Sequence, residues 1–491
     1  MATDTLAAMK TGLTRGTLAA AICLAAVQTL VGQSIQLPWS GFAHTSQHSG
    51  VSMVPSQPLN RVLWTMTVGQ GGYYTTHFSP PVVTRSNTVI FPMNLTNSGY
   101  NFRIEALVGD TGQTNWEQPT DFTPGTRLVS LCPLVLTPKN RLYFAASGGT
   151  VFYCDSPDAT ASPLFTRAAF YGLSQYLTNT NALNSNIFIC TPITSDRYGN
   201  IFFGYQSEAR LPIGAQGGLA RIDFDGSGSW IGASNAIGSS TVNEPIFNCA
   251  PALSLDEKTV YMAFGAGNGG QACLAAMDSR TLAPLASVHL KDPETKNVAG
   301  ASDGSTASPT VGPDGDVYFG VSGDNDDRGW LLHFDSSLSV LKTPGLFGWD
   351  VTDSIVNASL VPSYQGNSTY LLATKYNNYD AGQYSMAILD PQRGILDSQS
   401  GVTVMAPVLS MPSPSKLEWC VNSAAVDPFT KSVLINNENG WLYRWDLTSN
   451  QLTQQIALTS IQTGEAYTPT VIGVDGIVYA INRGNLFAVG K

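Results

Sequence analysis

The chain has 491 residues and a net charge of −10, and charged residues make up only 12% of it. The acidic balance and the lack of any Lys/Arg cluster argue against nucleic-acid binding, which needs a basic surface. Beyond the N-terminus, no apolar run reaches the ~18–20 residues of a membrane helix, so a multi-span membrane protein is excluded.

The N-terminus has the pattern of a targeting segment. Lys10 and Arg15 precede an apolar stretch at residues 16–32, as in a secretory signal. We therefore expect residues 1–33 to be a signal peptide or an N-terminal anchor, and the protein to be exported to the periplasm, the medium or the cell surface. Residues 34–56 would form a lead segment. If the signal peptide is removed, six cysteines remain, an even number that permits disulfides.

One sequence pattern recurs along the rest of the chain. Each copy has a strand near a proline, a turn with Asp-Gly or Asn, a second strand such as Val-Tyr-Phe, and a third strand that ends in Asp. The copies begin at Pro81, Pro133, Pro192, Pro251, Pro309, Ser359, Ala424 and Pro469. Their spacing averages about 55 residues, and four short strands in such a period are typical of β-propeller blades.

The last copy ends at Lys491 after only three strands. Residues 61–68 precede the first copy and can supply the missing strand beside residues 486–489. A ring closed in this way leaves no free sheet edge. The sequence therefore predicts an all-β fold, an eight-bladed β-propeller of four-stranded blades spanning residues 57–491, with very little helix outside the N-terminal segment.

The repeat, Pro-x-Val-x-x-Asp-Gly-x-Val-Tyr and then Gly-x-Leu-x-Ala-x-Asp, resembles that of the pyrroloquinoline-quinone-like repeat family. Residues 39–50 also look like the entry sequence of exported members of that family. The resemblance implies the propeller fold, but the superfamily contains both quinoprotein dehydrogenases and a non-enzymatic outer-membrane assembly scaffold.

The dehydrogenases of that superfamily carry a Cys-Cys pair over the quinone and a Ca²⁺ site. This chain has neither a Cys-Cys pair nor a Cys-x-x-Cys-His haem motif. We therefore place it in a non-redox branch, and a quinone-dependent dehydrogenase is a less favoured alternative.

The blade pattern brings polar residues to one face of the ring. Loops between the second and third strands share this face with the loops between blades, at the mouth of the central channel, where ligands bind closed β-architectures. Carboxylates there could coordinate Ca²⁺ or serve as acid and base, whereas the alternative is that polar loops only line a water-filled channel. The predicted ligand-binding residues are His77, Asp303, Lys375, Glu418, Asn422 and Glu465.

Two further features have alternative interpretations. Asp324, Asp326 and Asp327 faintly resemble a calcium loop, so Ca²⁺ is a candidate ligand, although the spacing lacks the terminal Glu of an EF-hand. Cys190 and Cys249 occupy the same place in adjacent blades, where either a disulfide or two buried thiols would fit.

Two classes of function remain open. We favour a monomeric binding or scaffold protein that holds a protein or carbohydrate ligand at the channel mouth. The alternative is a carbohydrate-active lyase or hydrolase that uses carboxylates at the same place. A compact cluster of Asp303, Lys375, Glu418 and Glu465 would favour the enzyme.

Overall fold

The protein is described by a computed structural model that covers residues 38–69, 78–96, 100–125, 132–208, 214, 216–266, 271–301, 307–324, 329–460 and 466–491. These residues form eight antiparallel sheets, each built on a path of four hydrogen-bonded strands. The sheets are the blades of an eight-bladed β-propeller, as predicted. Blades are numbered along the chain, and strands are called first to fourth from the channel outwards.

The first four blades follow each other without interruption. In blades 3 and 4 the first strand is split into two short pieces that pair with the same second strand. The strands are Val82–Val83, Thr88–Asn94, Phe102–Val108 and Thr114–Pro119 in blade 1; Leu134–Leu136, Leu142–Ala145, Thr150–Cys154 and Thr166–Ala169 in blade 2; Ile187–Ile189 with Thr194–Ser195, Ile201–Ser207, Gly218–Ile222 and Gly228–Gly232 in blade 3; and Glu244–Pro245 with Ala252–Leu253, Thr259–Gly265, Ala272–Asp278 and Pro284–His289 in blade 4.

The second half of the ring ends at the C-terminus. Its strands are Thr310–Val311, Val317–Ser322, Gly329–Phe334 and Gly345–Leu346 in blade 5; Ser354–Asn357, Tyr370–Asn378, Gln383–Leu396 and Thr403–Pro412 in blade 6; Ala425–Asp427, Ser432–Asn436, Trp441–Asp446 and Gln451–Ala457 in blade 7; and Val471–Ile472, Val478–Asn482, Asn485–Gly490 and Arg61–Thr67 in blade 8.

Blade 8 is therefore closed by a strand from the N-terminal side of the chain. Arg61–Thr67 pairs antiparallel to Asn485–Gly490, which confirms the closure predicted from the short last repeat. Trp64 Nε1 also donates a hydrogen bond to the carbonyl oxygen of Gly109 at 2.7 Å, which ties the closing strand to blade 1.

The strand patterns follow from the layered packing of the blades. Second and third strands such as Val317–Ser322 and Gly329–Phe334 are buried along nearly their whole length, because adjacent blades cover both of their faces. The fourth strand Gln451–Ala457 instead alternates between exposed and half-buried side chains.

One local prediction from the sequence was wrong, and one helix was not foreseen. The first strand of blade 6 is Ser354–Asn357, whereas the predicted start, Ser359, lies in a 3-10 turn that the Asn357 side chain caps. A helix at Leu173–Asn184 lies between blades 2 and 3 and was not predicted, and a shorter one spans Ala233–Ile237.

Because the strands are antiparallel, the ring has two different faces. The mouth carries the loops between blades and the loops from second to third strands. The hairpin face carries the turns from first to second and from third to fourth strands. Each first strand runs from the mouth to the hairpin face.

Residues 38–52, here called the plug, lie inside the ring. Backbone amides of the first strands of six blades donate hydrogen bonds to plug carbonyl oxygens. The pairs are Val83–Trp39 (2.9 Å), Leu136–Ser40 (2.8 Å), Leu253–Ser46 (2.7 Å), Val311–Gln47 (3.0 Å), Ile355–Ser49 (2.9 Å) and Val426–Gly50 (2.8 Å). Most of these donors are the last residues of their strands, so the plug lies at the hairpin-face end of the first strands.

A buried ion pair holds the residues that follow the plug. Arg444 Nη2 donates to the carbonyl oxygen of Gln57 at 2.6 Å, and its Nη1 donates to Ser56 Oγ at 2.9 Å. Asp427 accepts the Ser56 amide at 2.8 Å. Both charged side chains are buried, so this network fixes residues 56–57 to blade 7 before the closing strand begins.

Candidate functional site at the channel mouth

The structure describes three of the six predicted ligand-binding residues. Lys375 lies on the second strand of blade 6, and Glu418 and Asn422 lie in the loop between blades 6 and 7. The other three predicted residues, His77, Asp303 and Glu465, are outside the described residues.

Lys375 is a buried lysine whose charge has no anionic partner. Its residue is only 2% exposed, and its Nζ lies 5.5 Å from the ring centroid of Trp349, within the range of a cation–π contact. Among the described residues, no carboxylate lies within the 4.0 Å of an ion pair and no side chain bonds this ammonium. Since its charge is uncompensated among the described residues, Lys375 is a candidate ligand contact.

Charged and polar groups converge on the thiol of Cys420, which is buried beside Lys375. Burial raises the pKa of Cys420 well above its ordinary value, and the positive charge of Lys375 opposes that shift. Asp350 and Glu438 raise the same pKa, so both acidic groups lie within electrostatic range of the thiol. The mouth therefore combines a cation with carboxylates from two different loops.

Glu418 is held by a tyrosine rather than by Lys375. The hydroxyl of Tyr379 donates a short hydrogen bond to Glu418 Oε2. Burial, and then this bond to the carboxylate, raise the pKa of Tyr379, so the hydroxyl keeps its proton. Asn377 Nδ2 holds the same loop by donating to the carbonyl oxygen of Trp419 at 3.0 Å.

Asn422 links two inter-blade loops. Its Nδ2 donates to the carbonyl oxygen of Tyr467 at 3.3 Å, and its own carbonyl oxygen accepts the amide of Thr352 at 2.9 Å. The side-chain oxygen of Asn422 is buried and has no hydrogen-bond partner. Asn422 is thus mainly structural, with one acceptor left for a ligand.

Other polar residues of the mouth serve the fold. Asn436 Nδ2 donates to the carbonyl oxygen of Ile481 at 2.7 Å, and Asn482 Nδ2 donates to that of Asn437 at 2.9 Å. These amides join blades 7 and 8. For these two amides, the contacts support a purely structural role.

Asp353 is a feature whose importance the sequence did not indicate. This residue precedes the first strand of blade 6 and is 1% exposed, and neither carboxylate oxygen has a hydrogen-bond partner. Burial raises its pKa to about 7. No pattern in the sequence distinguishes it from the hydrated aspartates of neighbouring loops.

The predicted calcium loop is only partly described. Asp324 Oδ2 accepts a hydrogen bond from Asn297 Nδ2 at 2.8 Å, and Asp326 and Asp327 lie outside the described residues. In the part of the chain that the structure covers, no three His, Cys, Asp or Glu side chains come together as a metal site. Calcium binding here stays a prediction.

The cysteines described by the structure form no disulfide with one another, and Cys190 and Cys249 are therefore two separate thiols. The amide of Asn248 donates to the carbonyl oxygen of Cys190 at 2.9 Å, so the backbone joins these neighbouring blades. Of the helices that the structure describes, none is long and apolar enough to cross a membrane.

The ring defines the class of protein as an eight-bladed β-propeller. No family model matches the chain, and no curated protein matches its sequence. Quinohemoprotein alcohol dehydrogenase from Comamonas testosteroni has a similar structure, with a TM-score of 0.58 and 11% identity over 96% of this chain and 84% of that one. A europium-containing methanol dehydrogenase gives a TM-score of 0.54 and 11% identity over 93% and 90% of the two chains. At such identities the likeness establishes the fold alone, and the predicted pyrroloquinoline-quinone-like repeat fold is confirmed.

The described mouth residues do not form the donor set of a quinone–metal centre. A divalent metal of this kind takes several oxygen ligands, chiefly carboxylates. Here Glu418 is bonded to Tyr379, and Asp353 lies buried with no partner. Among the described residues, no three carboxylate, histidine or cysteine side chains come together as a metal site.

Proposed function

We propose that this chain is an exported binding or scaffold propeller that holds a protein or carbohydrate ligand at the channel mouth. One observation carries the proposal: Lys375 is buried near the mouth, and among the described residues its charge has no anionic partner. Ligand sites are concave and carry a few placed polar groups, and the described residues near Lys375 supply such groups.

The groups around Lys375 suit a polar ligand with hydroxyl or carboxylate groups. Trp349 offers a half-buried aromatic surface, and Asn422 offers a buried acceptor without a partner. Tyr379 and Glu418 satisfy each other, which favours binding over acid–base chemistry at this pair. The enzyme alternative needs Asp303 and Glu465 beside them, and these two residues are outside the described part.

The test compares Lys375→Met with Lys416→Met, since Lys416 is an exposed lysine of the adjacent inter-blade loop. The full chain and both variants are applied to a glycan array, and a photo-crosslinker at position 415, an exposed residue of the same loop, captures proteins from an extract of the source cells. We expect Lys375→Met to weaken the captured interactions at least tenfold and Lys416→Met to leave them unchanged. Equal effects of both variants, or none, contradict a site at Lys375.

Export is tested separately with a C-terminally tagged full chain in its source cells. We expect the tagged protein outside the cytoplasm. Deletion of residues 1–33 should retain it inside.

A further inference from the structure

A polar cavity lies on the hairpin face, between blades 5 and 6. It has a volume of about 380 Å³, and its lining includes Asp314, Asp316, His333, Lys342 and Gln392. The first two belong to the turn between the first and second strands of blade 5, so the cavity is on the opposite face from the mouth.

Asp316 is already neutralised within this cavity. Its Oδ2 accepts hydrogen bonds from Lys342 Nζ and, at 2.8 Å, from His333 Nε2. The ring of His333 also stacks on Tyr318, with 4.5 Å between centroids, so it is held in place. The one lysine lining the cavity is therefore committed to this internal pair.

Asp314 carries the charge that remains. Its Oδ1 accepts a hydrogen bond from the hydroxyl of Tyr370 at 2.8 Å and from the amide of Asp316 at 3.1 Å. Asp314 is exposed and forms no ion pair with any residue of the described chain. The cavity thus presents an oriented carboxylate without a cation.

An apolar cavity of about 210 Å³ is lined by the residue that precedes Asp314 in the chain and by the tyrosine that bonds Asp314. Val51 of the plug lines it together with Ile355, Leu360 and Val426, and Tyr370 forms part of its wall. Pro313, which precedes Asp314 in the chain, lines it as well. The hydroxyl of Tyr370 binds Asp314, so one side chain joins the apolar cavity to the unpaired carboxylate.

We infer that these two cavities bind an alkylammonium group. The ammonium pairs with Asp314 near the side chain of Gln392, and the hydrocarbon chain lies along Tyr370 in the apolar cavity. An anion is disfavoured because Lys342 is already paired, and a neutral alcohol would leave Asp314 without its cation. The same chemistry is offered by a free amine and by the lysine side chain of a partner.

The probe is n-hexylamine, titrated into the full chain by calorimetry with n-hexanol as the uncharged control. We expect saturable binding of the amine that Asp314→Asn weakens at least tenfold, while weak binding of the alcohol stays the same. Asp225→Asn is the matched variant, since Asp225 is an exposed aspartate in a turn of the same face, in blade 3. It should leave both titrations unchanged.

Two further arms test the apolar cavity and the source of the amine. Leu360→Ala should weaken hexylamine more than methylamine. Tighter binding of Nα-acetyl-lysine methylamide than of hexylamine indicates a partner's lysine, and the reverse order indicates a free amine. Absence of saturable hexylamine binding, or equal losses in Asp314→Asn and Asp225→Asn, overturns the inference.

Discussion

His48 Nδ1 donates a hydrogen bond to the carbonyl oxygen of Pro309 at 2.7 Å, which links the plug to the first strand of blade 5. His48 is 1% exposed, and its Nε2 has no hydrogen-bond partner. Burial lowers the pKa of His48 to about 4, and it lowers that of His44 to about 4 as well. The plug therefore holds two neutral histidines that the unfolded chain would protonate below pH ~6.5.

The first prediction concerns the pH dependence of stability. Because the folded pKa of each histidine lies below its unfolded value, its contribution is complete above pH ~6.5 and is lost as the pH falls towards 4. The loss amounts to at most about 3 kcal/mol per histidine. Thermal unfolding followed by circular dichroism between pH 4 and 8 should show this decline, and His48→Gln should make it shallower. His289→Gln, at an exposed histidine, should preserve the wild-type slope.

The contribution of Asp353 to the pH dependence of stability should have the opposite sign. Its pKa is raised to about 7 in the folded state, so its unfavourable contribution appears as the pH rises from about 4 to 7. We expect Asp353→Asn to raise the free energy of unfolding at pH 8 by about 1–3 kcal/mol and to have little effect at pH 4. Urea unfolding at both pH values measures this. A stabilisation that is equal at the two pH values, or also seen in Asp225→Asn, would contradict the assignment.

Gly50 allows a test of how tightly the plug packs inside the ring. Its φ is +65°, and an added Cβ would lie 2.9 Å from the carbonyl oxygen of Ala424 and 2.7 Å from Ser354 Oγ. Gly238 has a similar φ of +75° with open space around it, so Gly238→Ala isolates the backbone penalty of about 1–2 kcal/mol. Gly50→Ala should lower the free energy of unfolding by roughly 2 kcal/mol more. Equal losses of unfolding free energy in the two variants would mean that the plug accommodates the added Cβ without further destabilisation.

The anchor of residues 56–57 predicts a double-mutant cycle. Arg444→Met leaves Asp427, which is 0% exposed, as an uncompensated buried charge, and should cost about 3–5 kcal/mol. Adding Asp427→Asn to Arg444→Met should recover part of that loss. Chemical denaturation measures both, and Arg280→Met serves as the exposed control. Additive losses would show that the two residues do not act as a pair.

The ring could be predicted from the sequence because its repeat is local. Each Asp at the end of a third strand is followed by a turn, and the short last copy indicated the closing strand. Ser359 misled the alignment because a 3-10 turn directly follows the first strand of blade 6. The helix Leu173–Asn184 was not predicted because it is mostly polar, and only its Tyr176 and Leu183 are buried.

The plug and the environment of Lys375 depend on contacts that no local pattern encodes. Residues 38–52 have neither a two-residue nor a 3.6-residue period, and their path is set by amides from six separate blades. Lys375 was singled out for its charge and its predicted loop, but no feature of the sequence indicated that it would be buried without an anionic partner among the described residues. Ligand sites in propellers are assembled from distant segments, so their geometry is the last thing that a repeat reveals.

The closing strand also sets the order of events during synthesis. Thr67 donates a hydrogen bond to the side-chain oxygen of Asn485, 418 residues further along the chain. At about 5–20 residues per second, a ribosome needs roughly 20–80 s to make the second partner after the first. Throughout that time residues 61–67 are an unpaired strand and the plug has no complete ring to enter. The ring can therefore close only after the final residues have been made, and until then residues 61–67 are a β-edge open to incorrect pairing.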